Sequence, residues 1–248
     1  MRKDFNIDDV LGFGWQVMKA NFWYFAGVGL LWGFLTFLPD ILRGLLEESI
    51  RHQPIFFAPY LFLTLLDILI SVLLGIGMLK IGLSFCDQVK PGVSTLVNGF
   101  DCFWRFLGTQ ILYVLIVLLG FLLLIIPGII WAVKYQYCIY FVVDKRLGPI
   151  DALKASARTT QTIKLKLFGF GILCSLINMA GVICLLLGIF VTYPVVLVAS
   201  ALVYRHLLIQ TPELAEFGIY PYQQPAEAMA DPSGSQVQNF APELPEQN

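Results

Sequence analysis

The sequence predicts an all-α polytopic membrane bundle, and three observations predict it. Of 248 residues, 58% are hydrophobic and 13% charged, with a mean hydropathy of +0.76; a soluble domain carries about 25% charged residues. Two long runs, residues 106–143 and 167–204, hold a single charge between them, Lys134. Lysine and arginine, finally, segregate to one side of the spans these runs delimit. With a net charge of −1, nucleic acid is not an expected partner.

A helix needs about 20 apolar residues to cross a hydrocarbon core ~30 Å thick. The first span is expected over residues 22–38, ended by Pro39-Asp40. The second lies between Pro59 and Phe85, interrupted by Asp67 and Lys80. As one helix, residues 106–143 would extend ~57 Å, so the run must fold back. Pro127-Gly128 is the expected turn, because proline ends or kinks a helix and glycine permits the reversal. Residues 167–204 must fold back likewise, between Gly188 and Pro194. Six spans result. The start has no apolar stretch before Phe22 and no small-residue cleavage site after it, so the first run reads as a span and not as a removed leader.

Loop charge sets the direction. With the N-terminus inside, the inner segments carry Arg2, Lys3, Lys19, Lys80, Lys90, Arg105, Lys145, Arg146, Lys154, Arg158, Lys164, Lys166 and Arg205. The outer loops carry Arg43 and Arg51. Both termini are therefore expected in the cytoplasm.

The chain also repeats. Segments starting at Ile7, Val93 and Ile150 each place Asp8, Ser94 or Asp151 at a helix start and lead into a hairpin; the first two have apolar residues at helical spacing, and the third has Ile150, Leu153 and Ala157 and then a polar stretch. The unit is an amphipathic interfacial helix followed by two spans, over residues 7–85, 93–143 and 150–209. These helices either lie at the headgroup boundary or pack against the bundle. Residues 1–209 form the membrane domain. Residues 210–248, rich in proline and acid and without lysine or arginine, read as a disordered cytoplasmic tail.

Within "IIPGIIWAVKYQYCIYFVVDKRLGPIDALKASARTT", the residues Pro127, Gly128, Ile129, Ile130, Val143, Asp144, Gly148, Ala152, Leu153 and Ser156 form a pattern. Over residues 85–208 the chain resembles a superfamily of uncharacterised bacterial polytopic inner-membrane proteins. That superfamily includes the membrane domain of some glycerophosphoryl diester phosphodiesterases. The resemblance implies the fold and the inner membrane. It brings no catalytic residues, since the chain has no soluble phosphodiesterase domain.

No catalytic constellation is present. His52 and His206 stand without carboxylate or cysteine at ligand spacing, and no nucleophile, zinc or phosphate-loop motif occurs. Cys86, Cys102, Cys138, Cys174 and Cys184 read as small buried hydrophobes. Gly75 and Gly77, like Gly169 and Gly171, suit close helix packing. No enzyme activity, metal or cofactor is expected. An ionisable group within a span calls for a function or a partner. Asp67 and Lys134, opposite in sign, lie at similar depths counted from Pro59 and Pro127. Three readings stand: a structural clamp, which leads; a Lys134 that snorkels to the interface; and a switch in a small transporter. Lys145, Arg146, Lys154, Arg158, Lys164 and Lys166 form a basic face for anionic headgroups, although the ordinary positive-inside bias explains most of it. The expected role is a non-catalytic scaffold or accessory subunit acting through the bilayer or other membrane proteins. The alternative is a small transporter or lipid-handling protein with a cavity near Asp67 and Lys134.

Overall fold

The computed structural model describes residues 5–50, 57–92, 99–183 and 188–219. Every regular element among them is helical: α1 (Ile7–Ala20), α2 (Phe22–Ile50), α3 (Phe57–Cys86), α4 (Phe103–Leu123), α5 (Ile125–Tyr135), α6 (Cys138–Lys145), α7 (Pro149–Thr160), α8 (Lys164–Ile183) and α9 (Ile189–Ile209). Six stretches among the described residues are long and apolar enough to cross a membrane, α5 and α6 together forming the fourth. The chain is a multi-pass helical membrane bundle.

The last span is its post. Of the apolar stretch of α9, 61% is buried, against 17% for that of α2, because α1, α3 and α8 all pack on it. Asn6 caps α1 by accepting the Asp8 N–H at 3.2 Å. One face of α1, with Val10, Gly14 and Met18, is buried. Gly14 permits the contact: a Cβ there would stand 2.5 Å from the Val195 carbonyl oxygen of α9. So α1 packs against the bundle, while Trp15, under Lys19, faces outward.

The helix α7 is still less interfacial. Half of it is buried, polar residues included: Ser156, Thr159 and Thr160 are 0–1% exposed. The hydroxyls of Ser156 and Thr160 meet the interruption of the fourth span. Ser156 Oγ donates to the Lys134 carbonyl at 3.0 Å and accepts the Tyr137 N–H at 3.3 Å, and Thr160 Oγ1 donates to the same carbonyl at 3.0 Å. The backbone groups freed between α5 and α6 are thus satisfied by a neighbouring helix, the condition for breaking a helix inside a membrane. The corresponding segment of the second repeat, residues 93–98, lies outside the described residues.

Three sequence expectations need correction. The middle hairpin turns at Leu124, whose extended backbone (φ −168°, ψ 155°) separates α4 from α5, and not at Pro127-Gly128. Pro127 is the third residue of α5, where its missing N–H would have had no helical acceptor. Gly128 serves as a crossing point instead: a Cβ on Gly120 would lie 2.9 Å from the Gly128 Cα. In the third hairpin α9 starts at Ile189 and continues through Pro194, so helix, and not a turn, occupies residues 189–194 of the expected window; residues 184–187 lie outside the described residues. Finally, α2 continues through Pro39 as far as Ile50, since one proline deletes only one helical hydrogen bond.

The tail is ordered at its start. Pro212–Phe217 forms a 3₁₀ helix packed on α7, burying Leu214, and Arg158 pairs with Glu216 at 3.1 Å. Residues 220–248 lie outside the described residues.

Candidate functional site

The second spans of the three hairpins end at the same level, and each ends in a charge: Asp87 just after α3, Asp144 in the last turn of α6, Arg205 in the last turns of α9. Asp87 and Asp144 sit where a helix carries partial negative charge, the unfavourable end for a carboxylate. A cation must offset them. Arg205 does so from α9, its Nη2 2.6 Å from Asp87 Oδ2 and its Nη1 2.8 Å from Asp144 Oδ2. Tyr204 donates its hydroxyl to the same Asp144 oxygen at 3.0 Å, and Lys145 Nζ lies 3.2 Å from it. The guanidinium side chain is 7% exposed, and those of Asp87 and Asp144 are 21% and 13% exposed.

Local structure aims these groups. At the end of α3, the Gln88 N–H bonds the Phe85 carbonyl and the Val89 N–H bonds the Ser84 carbonyl, with Gln88 left-handed at φ 58°. This is the Schellman stop, and it places Asp87 at the helix end. Arg146 ends α6 in the same left-handed region, at φ 54°. Tyr204 is held by an aromatic set, stacked on Tyr140 at 5.2 Å and edge-on to Phe141 at 5.1 Å. The result is a latch joining three hairpins at one end of the bundle. Beside it is a recess of about 230 Å³ bordered by Lys80, Ser84, Asp87, Asp144 and Arg205. Asp87 Oδ1 has no hydrogen-bond partner among the described residues, so the recess edge keeps one spare acceptor.

The expected Asp67–Lys134 pair is not formed. Asp67 lies 3.2 Å from Arg43 Nη2 of α2, and Arg43 also pairs with Asp40 one turn earlier. Lys134 extends over the ring of Tyr135 at 5.0 Å; what the bundle uses at this position is its backbone carbonyl. The difference follows from α2 running on past Pro39, which carries Arg43 into reach of α3.

The expected basic face is mostly spoken for by acids beside it. Lys145 is on Asp144, Arg146 lies 3.6 Å from Asp101, Lys154 lies 4.0 Å from Asp151, and Arg158 is on Glu216. Lys166 lies over the ring of Phe5. Lys164, half-buried, opens α8.

Between α5 and α8 lies a larger, mostly apolar groove of about 400 Å³, bordered by Val133, Gln136, Phe168, Gly171, Ser175 and Met179 among others. No cluster of three metal-ligating side chains occurs among the described residues. His52 and Cys184 lie outside the described residues; His206 lies half-buried on α9.

The latch is the feature that reading residues one by one misses. Its signal was present in the repeat, as a charge closing each second span, two of one sign and one of the other. No protein-family model, curated protein or solved structure matches the chain.

Proposed function

We propose that the chain is a non-catalytic protein of the bacterial inner membrane with both termini in the cytoplasm, acting as a scaffold or accessory subunit for other membrane proteins. The observation that carries this reading is the latch. The most buried charges are spent on one another, holding three hairpins in a fixed arrangement, which favours a rigid platform over a moving carrier. The bundle also presents broad apolar surfaces to its surroundings, as on α4 and at the tip of the middle hairpin, where Leu122–Ile126 are 66–83% exposed. The cytoplasmic orientation rests on the distribution of lysine and arginine. Crosslinking in native membranes, followed by purification of the full chain, tests the role. A protein recovered in fixed ratio is the expected result, and recovery of lipid alone overturns the proposal.

One observation favours a second reading, a small transporter. The recess beside Lys80, Asp87 and Asp144 places unlike charges and a spare carboxylate oxygen together. Solute flux into vesicles containing the pure protein, abolished by Asp87→Asn, would decide for that reading.

A further inference from the structure

The groove between α5 and α8 differs from the other apolar surface of the molecule in three respects. The stripe of α8 that borders it runs Phe168, Gly171, Ser175, Met179 at three- and four-residue spacing, and Lys164 stands one turn before Phe168 on the same helix face, beyond the groove's border. Gly171 keeps the groove open, for a Cβ built there meets nothing within 4 Å. Across from it, Gln136 offers a buried amide nitrogen, Nε2, without a hydrogen-bond partner among the described residues. The stripe of α4 through Ile111, Leu115, Leu118 and Leu122 is as apolar and as exposed, but neither of the two recesses is bordered by α4.

A single amphiphile with an anionic head matches this arrangement. At about 400 Å³ the groove is too small for a partner helix: a cylinder about 10 Å across fills roughly three times that volume over three turns. An extended hydrocarbon chain has the narrower section required. One turn beyond the groove, half-buried Lys164 opens a 20-residue helix, where the positive end of the helix dipole adds to its charge.

We propose that this groove is a binding site for an anionic phospholipid, one acyl chain lying along Phe168, Gly171, Ser175 and Met179 and the phosphate lying at Lys164. The Gln136 amide then donates to an ester oxygen of the lipid. The site goes beyond the scaffold role and depends only on the helices spanning a bilayer.

The test uses the full chain in phosphatidylethanolamine vesicles containing a phosphatidylglycerol with a photoreactive acyl chain, with labelled positions mapped by mass spectrometry. Label concentrates on Phe168–Met179 and Val133, in excess over α4. Gly171→Leu fills the groove and lowers that label about tenfold, the effect of expelling roughly two methylenes, while α4 is labelled as before. Lys164→Glu lowers it about fivefold for phosphatidylglycerol and leaves a phosphatidylcholine probe unchanged. If Gly171→Leu does not fold, Ser175→Leu narrows the same groove from an exposed position. Equal labelling of α8 and α4, insensitivity to the groove-filling variant, or equal labelling by the two lipids overturns the site. So does efficient crosslinking of two copies through Gly171→Cys, which would put a second chain in the groove. None of these results alters recovery of a protein partner from native membranes, so this site and the scaffold role fail separately.

Discussion

The bundle contains two clusters of the same composition, one arginine with two aspartates, and they do different work. In one, Arg43 holds Asp40 of its own helix and Asp67 of the next. In the other, Arg205 holds Asp87 and Asp144 from two different hairpins. The first arginine side chain is 22% exposed, the second 7%. The first cluster joins helices that adjacent chain already forces together. The second joins segments that nothing else in the covalent chain keeps close. What an ion pair contributes here depends less on its residues than on whether the connection is otherwise provided and whether water can substitute for the partner.

The comparison breaks most sharply at Arg205. Arg205→Met strands two partly buried carboxylates at helix C-termini and should destabilise the protein by about 3–5 kcal/mol, read as the loss of melting temperature in detergent. Adding Asp87→Asn and Asp144→Asn to that variant should restore much of the loss; a triple variant no more stable than the single one would show that the carboxylates are not the cause. Next in size is Ser156→Ala, which removes a donor to the Lys134 carbonyl and the acceptor of the Tyr137 N–H. Its cost should be about 1–3 kcal/mol, with faster hydrogen exchange at Tyr137 as the local sign. Arg43→Ala should cost about 1 kcal/mol or less, and a loss equal to that of Arg205→Met would erase the contrast between the clusters. Smallest is Lys134→Met, expected within about 0.5 kcal/mol of the parent, because the contribution at this position comes from the carbonyl. Combined with Asp67→Asn it should show no coupling, which a double-mutant cycle measures.

The spans were legible because length and polarity alone specify them: a run of 38 uncharged or nearly uncharged residues has to cross twice. Exact turns were less so. Pro127 reads as a breaker, but in the first turn of α5 it is harmless, and Leu124, which does turn, has no turn chemistry of its own. Pro39 misled in the same way, and the error spread. Ending α2 there put Arg43 in a loop, which left Asp67 without its true partner and made Lys134 the candidate. The latch was illegible for a different reason. Its residues stand 61 and 118 positions apart, and although a charge closes each second span, nothing in the spacing says that these three meet. The buried polar face of α7 escaped notice because Ser156, Thr159 and Thr160 look like a solvated face until a broken helix is placed against them.

That Arg205 belongs to the last span has a consequence for how the molecule is made. Translation at roughly 5–20 residues per second puts about 6–24 s between the emergence of Asp87 and that of the arginine that neutralises it. Until then the two earlier hairpins lack the guanidinium that joins their carboxylates, and Lys145 sits beside Asp144 alone without bridging the two hairpins. A ribosome that stops before α9 therefore releases a product that differs from the complete one in charge as well as in length. Synthesis of α9 and closure of the latch are one event.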